Sequence, residues 1–422
     1  MTNKNNIPAG YKDSAVGIIP QEWEVKYLGD LLARLANGLT YDVSVTSGYP
    51  VSRIETISSG EINYSKVGYV DNVAGCESYK MQKGDILYSH INSLAHVGKV
   101  AYYDGKQELY HGMNLLLMRV NDMVDSNYLY AYMLTSQAKH IAQVIAKPAV
   151  NQASISINDI RKIKLPVPPM GEQRKIAEIL GVWDETIEKQ SRLIEKLELR
   201  KRALMQRLLT GRTRLPGFTT PWQKIKLGEI GKTYNGLTGK SKEDFEDGNA
   251  KFIPYINVFS NEKVNIDKLG VVSVDESEKQ NKVQYGDIFF TVSSETPDEV
   301  GMASVLLEYI DDTYLNSFCF GYRLNDFETL NPIFASYILR GDRFRNYMMV
   351  LAQGSTRFNI SKNEVMKLRI ELPSLPEQKA IAEVLTTADN EIATHRKKLD
   401  ALRLQKRGLM QQLLTGKTRV KI

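Results

Sequence analysis

A chain of 422 residues is too long for one ordinary domain and accommodates two or three, each large enough to bury a core of its own. Hydrophobic residues at 42% and charged residues at 25% are ordinary globular values that argue against a disordered or fibrous protein, and no apolar run approaches a membrane span. The balance of 55 basic against 49 acidic residues leaves +6, which permits nucleic-acid binding without requiring it.

The N-terminus has no cationic segment leading into an apolar run, so a cytoplasmic protein is expected. Residues 1–168 then alternate short apolar runs such as GDILYSH, KVAYY and NLLLMRV with Gly, Asn, Asp and Ser, which is the pattern of strands and turns. They end in a helical stretch, SNYLYAYMLTSQAKHIAQVI after Asp125. A long helix is expected within 169–212, introduced by Pro166, Pro168 and Pro169 and stopped at Gly211 in the manner of a C-cap. Residues 213–373 repeat the strand-rich pattern with DIFFTV and MASVLL and a helical stretch after Leu330, NPIFASYILRGDRFRNYMMV. A second long helix, within 374–422, follows Pro373 and Pro376 and stops at Gly416. The class is α+β. Cys76 and Cys319 stand far apart with no CxxC or Cys/His cluster, which points to buried small hydrophobes, not to a disulfide framework or a zinc site.

The second half duplicates the first. PMGEQRKIAEILGVWDETIEKQSRLIEKLELRKRALMQRLLTGRTR from Pro169 recurs as SLPEQKAIAEVLTTADNEIATHRKKLDALRLQKRGLMQQLLTGKTR; Glu172 answers Glu377 and Thr210 answers Thr415, both 205 positions on, so no gap intervenes. Upstream, INDIRKIKLPVP after Ser156 answers SKNEVMKLRIELP from Ser361, MQKGDILYS answers VQYGDIFFT, and WEVKYLGDL from Trp23 answers WQKIKLGEI from Trp222.

Both helices carry an apolar stripe with alternating steps of four and three. In the first it is Ile176, Leu180, Trp183, Ile187, Gln190, Ile194, Leu197, Lys201, Leu204 and Leu208; in the second Ile381, Leu385, Ala388, Ile392, His395, Leu399, Leu402, Lys406, Leu409 and Leu413. A stripe kept over so many turns needs a partner helix, and the expected partner is the other copy, packed antiparallel as a coiled coil about a pseudo-twofold axis. The polar residues at Gln190, Lys201, His395 and Lys406 are placed to fix register at some cost in stability. Each helix of about 40 residues would span roughly 60 Å.

Motifs that suggest chemistry fail on inspection. Asn331-Pro332-Ile333-Phe334 resembles the catalytic tetrapeptide of DNA amino-methyltransferases but lacks its second proline, and no glycine-rich cofactor loop precedes it. An N-cap asparagine with proline at the first helical position explains it. The turns at Gly231-Lys232-Thr233, Gly239-Lys240-Ser241 and Gly416-Lys417-Thr418 lack the first glycine of a Walker loop, where Lys226, Tyr234 and Gln411 stand. The five histidines form no metal-binding set. No catalytic residue, cofactor site or metal site is expected.

The opening GYKDSAVGIIPQEWEVKYLGDL, the GDIL and GDIF strands, the doubled LPVPPMGEQRKIA and LPSLPEQKAIA helix starts and the doubled LLTG ends resemble the specificity subunit of Type I restriction-modification enzymes. The resemblance spans nearly the whole chain, and the ordered, doubled set of motifs is what makes it specific. It implies a non-catalytic subunit with two target-recognition domains, each reading half of a bipartite duplex site, and paired helices as a ruler between them. It further implies two modification subunits that bind S-adenosylmethionine and methylate adenine, and two restriction subunits that use ATP and Mg. The cofactors belong to the partners.

With both heads in the major groove on one face, half-sites about 34–36 Å apart are expected. The segment Gly171–Arg214 holds 11 basic and 7 acidic residues and Pro376–Arg419 holds 9 and 5, so the helices carry +8 and the remainder −2. Much of the phosphate attraction is therefore assigned to helix ends and partners, and discrimination to the heads. Base readers are expected among polar side chains on loops beside strands: Arg53, His90, Asn92 and Asn114 in the first head, and Asn257, Ser293, Ser294, Asn316 and Arg357 in the second, with Tyr88 packing on sugar or base. Two other functional classes fit the sequence less well. A fused methyltransferase or nuclease would need the absent cofactor motifs, and a coiled-coil adaptor without a DNA role would not need two strand-rich domains of differing loop sequence.

Overall fold

The computed structural model describes residues 7–72, 74–149 and 152–421. The chain forms two compact units, one built from Met1–Ser191 with Lys398–Ile422 and the other from Arg192–Lys397.

The first unit centres on a four-stranded antiparallel sheet in the order Leu32–Asn37, Leu116–Val120, Ile86–Tyr88, Val100–Tyr102. Strands project alternate residues to opposite faces, and here both faces are covered. Ile86, Tyr88, Leu116 and Met118 pack into the cluster that contains Tyr128, Leu129 and Tyr132 of the adjoining helix, while Leu87, Ala101 and Leu117 join Ile57, Met81 and Leu109. Sheets buried on both sides read as continuous apolar runs, which is why GDILYSH and NLLLMRV lack alternation. The second unit repeats the topology as Gly231–Asn235, Cys319–Leu324, Ile288–Thr291, Ala303–Val305. Ile288, Phe290, Phe320 and Tyr322 face one core, Phe289 and Cys319 the other. A two-stranded ribbon joins the beginning and end of each head, Glu24–Tyr27 with Lys164–Val167 and Gln223–Lys226 with Arg369–Leu372.

The Gly-Asp pair before each central strand has a structural role. Gly84 and Gly286 adopt φ of +97° and +84°, the left-handed region open to glycine. The buried carboxylate of Asp85 accepts from the Gln82 amide at 2.7 Å and from Arg119 through two bonds of 2.7 Å. Asp287 does the same with Gln284 and Arg323, and also accepts from the Tyr234 hydroxyl at 2.6 Å.

Two expectations need correction. Each helical stretch at the end of a head is two helices: Ser126–Met133 and Ser136–Ile145 in the first, Pro332–Ile338 and Asp342–Leu351 in the second. The break falls where Thr135 caps the next helix by accepting from the Ala138 amide, and at Gly341 in the other copy. Cys319 is buried but Cys76 is only partly so; both are free thiols.

The long helices run Met170–Leu208 and Leu375–Leu413, 39 residues each. Burial follows the stripe. Ile176, Leu180, Ile194, Leu197, Leu208, Ile381, Leu385, Ala388, Ile392, Leu399 and Leu413 are buried, and Trp183, Ile187, Leu204, Leu402 and Leu409 are half-buried. Gly211 and Gly416 terminate the helices at φ of +69° and +71°, each donating its amide to the carbonyl three residues back. In the first unit Lys406 pairs with Asp184. In the second, Glu198 pairs with Arg396, Arg200 with Glu391 and Lys201 with Asp389, so partner numbers fall as position rises and Arg192–Leu208 lies antiparallel to Leu375–Lys397. Burial works against the Lys201 ammonium, but hydrogen bonds to Asp389 and Glu262 outweigh it and hold its pKa above the ordinary lysine value.

Candidate nucleic-acid interface

The motif that opens each long helix anchors the head in front of it. Gln173, 1% exposed, accepts the Asp125 amide on its side-chain oxygen and donates to the carbonyls of Met123 and Pro168. Gln378 repeats this with the Asn331 amide and the carbonyls of Thr329 and Pro373. The neighbouring carboxylates are likewise buried. Glu172 receives the Trp23 indole N–H at 2.9 Å and the Arg419 guanidinium, and Glu377 receives Arg214 at 2.6 and 2.7 Å. Sequence reasoning missed these anchors, although the signal was available: Glu-Gln and Thr-Arg recur at the same offsets in both copies. Asn331, the first residue of the methyltransferase-like tetrapeptide, caps its helix by accepting the Phe334 amide at 3.0 Å.

The residues expected to read bases separate by burial. Tyr88 is fully buried with its hydroxyl unpaired, so the expectation that it packs on sugar or base is corrected: period-two geometry turns its ring into the core beneath the helices. Burial also raises its phenol well above the ordinary value. Asn257 is corrected too. Its amide donates to the carbonyls of Asn265 and Lys268, and its oxygen accepts from the Asn265 amide and Asn261, so its hydrogen-bonding capacity is used within the fold. Asn316, 5% exposed, donates to the Ile253 carbonyl and accepts the Phe318 amide. Ser294 is buried and donates to Glu299, and His90 is buried with Nδ1 unpaired, its pKa pushed by burial down to about 4. These five side chains support the heads from within.

The others lie nearer solvent. Arg53 precedes a short helix and pairs with Glu55 at 3.3 Å. Asn114 is exposed at φ +68° in the turn before Leu116–Val120. Asn92 is half-buried, donates to Ser89 and accepts the Ser93 amide. Ser293 is half-buried and Arg357 exposed, and Arg357 makes no ion pair among the described residues. Asn92, Ser293 and Arg357 sit on or beside small secondary sheets that recur in the two heads: Ile91–Asn92 with Gln152–Ser154 and Lys147–Ala149, and Ser293–Ser294 with Phe358–Asn359. Among the described residues no group of three or more His, Cys, Asp or Glu is placed to hold a metal ion, and no helix is long and apolar enough to cross a membrane.

The model of the Type I restriction modification DNA specificity domain matches residues 20–199 and again 220–404. The chain is 34% identical to the protein assigned as the type I restriction enzyme MjaX specificity subunit of Methanocaldococcus jannaschii, with 97% of both chains covered. It is 26% identical to the MjaVIII specificity subunit of the same organism, covering 96% of this chain and 94% of that one. Among solved structures, the S subunit of a type I restriction-modification system from M. genitalium superposes with a TM-score of 0.53 at 17% identity, over 93% of this chain and 96% of the other. A chain from a study of complex assembly and conformational transition in the type I R-M system gives 0.60 at 16%, over 95% and 99%. At these identities the structural matches speak for the fold.

Proposed function

The chain belongs to the Type I restriction modification DNA specificity family, and from that premise we propose that it is the sequence-reading, non-catalytic subunit of a Type I restriction-modification complex. Heads 1–168 and 213–373 each read half of a bipartite duplex site. Spacer segments 169–212 and 374–422 pair as a long antiparallel coiled coil that sets the gap between half-sites. The same helices dock two modification subunits, which carry S-adenosylmethionine, and through them two restriction subunits, which use ATP and Mg. The complex is cytoplasmic, and Arg53, Asn92, Asn114, Ser293 and Arg357 act as base readers.

The observation that carries this reading is a duplication reaching from sheet order to single hydrogen bonds while surface side chains diverge. A frame built twice with different exposed residues suits two related readings of different sequence. Base-resolution mapping of methyl-adenine, in cells with this chain and its modification subunit and in cells without the chain, is the test. The expected result is a new motif of two short half-sites around a fixed gap. No new methylation from an assembled complex overturns the reading.

A further inference from the structure

The small secondary sheet of each head presents an outward face, polar except at the half-buried Ile91, most of whose side chains the fold leaves unused. In the first head Gln152–Ser154 pairs in register Lys147↔Ser154 on one side and Ser154↔Ile91 on the other. In the second, Asn359 pairs with Ser293 and is bridged by Gln353. Residues directly opposite one another share a face. Burial alternates as that geometry requires: Ala153 and Ile155 are buried while Gln152 and Ser154 are exposed, and Ile360 is buried while Arg357 and Asn359 are exposed. The outward row is therefore Lys147, Ser154, Ile91 in one head and Gln353, Asn359, Ser293 in the other. Gln152 stands two residues before Ser154 on the same strand and so on that face, and its counterpart Arg357 is exposed in the bend that leads into Phe358–Asn359.

The frame is shared, yet every outward position differs between heads. Asn359 donates its side-chain amide to the Arg357 carbonyl, but four other positions are uncommitted. The side chains of Lys147, Gln152, Gln353 and Arg357 make no hydrogen bond or ion pair among the described residues, in contrast to Asn257 and Asn316.

Resting on the reading that the heads bind duplex DNA, we infer that this ribbon is the major-groove reading edge of each head, with Gln152 and Arg357 setting base preference in opposite half-sites. The protruding element is the hairpin Lys147–Ala149 with Gln152–Ser154 in the first head and the pair Ser293–Ser294 with Phe358–Asn359 in the second, and a two-stranded ribbon fits the major groove, about 12 Å wide. Arginine pairs bidentately with the O6 and N7 of guanine, and glutamine with the N6 and N7 of adenine. The exposed carboxylates of Glu295 and Asp298, in the loop after Ser294, weaken any general pull on phosphate at this edge. In the second head its contribution is thus discrimination more than attraction.

The test enriches a random duplex library on the full chain assembled with its modification subunit. Arg357→Gln should exchange a guanine preference for adenine, by about tenfold, at one position of one half-site, leaving the other half-site as in the wild type; Gln152→Arg should do the converse in the other half. Unchanged motifs in both variants overturn the inference. So does an equal loss of affinity on every duplex, which would make these residues phosphate contacts. A wild-type complex that enriches no motif overturns the DNA reading beneath it, a separate outcome. If urea unfolding shows that Arg357→Gln has destabilised its head, Gln353→Lys on the same face replaces it, with the same two results deciding.

Discussion

Arg419 donates to Glu172 through two hydrogen bonds of 2.7 and 3.0 Å across 247 residues of sequence, and the carboxylate it holds is fully buried. Arg214 holds Glu377 in the same way in the second unit. Removing the cation leaves a buried charge with its neutral donor, Trp23, alone. Arg419→Ala should cost the first unit about 3 kcal/mol and lower its urea midpoint, while leaving the transition of the second unit in place. A variant that unfolds like the wild type would show that solvent reaches this carboxylate.

Stability of the first unit should depend on pH through two histidines. His90 and His111 are buried, each with Nδ1 unpaired, and burial pushes both from 6.5 down to about 4. Between those values the unfolded chain binds protons that the folded chain does not, so stability falls as pH drops from 6.5 towards 4 and recovers on raising it. The loss is on the order of 2–3 kcal/mol for each histidine. Denaturant curves at pH 7, 5.5 and 4.5 measure it, and His90→Asn should flatten the dependence; an unchanged slope would refute the assignment.

The two helix stops are alike in backbone and unlike in surroundings. Both glycines have positive φ, but a Cβ at Gly416 would lie 2.4 Å from Pro20 Cδ, whereas at Gly211 it would meet the Trp222 ring at 3.5 Å. Gly211→Ala should therefore cost about 1–2 kcal/mol from left-handed strain alone, and Gly416→Ala clearly more. Parallel thermal melts of the two variants give the comparison; equal losses would contradict it.

Asn257 and Arg53 should respond differently although both were expected on one sequence argument. Asn257→Ala strands the Asn265 amide and the carbonyls of Asn265 and Lys268, while Asn261 keeps its bond to the backbone carbonyl of residue 257, and should destabilise its unit by about 2–3 kcal/mol without changing the preferred site. Arg53→Ala should leave stability near wild type, weaken specific binding by about 1–3 kcal/mol and relax one position of the site. Equal loss on random DNA would instead make Arg53 a phosphate contact.

That contrast shows what the sequence could convey. The stripe from Ile176 to Leu208 is legible because a 3.6-residue period is a local property, and its copy from Ile381 to Leu413 doubles the signal. The strands are legible as apolar runs, yet which face each residue takes depends on what covers the sheet, so Tyr88, which the polar neighbours Ser89 and His90 place among candidate DNA contacts, is core. Asn316 is satisfied by Ile253, 63 residues away, a pairing that no local window contains. The break at Thr135 was readable as a capping signal inside an otherwise continuous helical stretch. The outward row at Lys147 and Gln353 required the register of strands from three places in the chain.

Because the first unit is assembled from Met1–Ser191 and Lys398–Ile422 while the second is a single uninterrupted segment, the order of synthesis is not the order of completion. The polypeptide that leaves the ribosome first must wait, with Glu172 and Trp23 lacking their arginine, until translation has passed through the whole of Arg192–Lys397. At about 5–20 residues per second that interval is on the order of ten to forty seconds, during which the unit made second can already have folded. The earlier-made half therefore keeps its buried carboxylate unpaired for that interval, and truncation before Lys398 should deprive it of closure while leaving every segment of the other unit present.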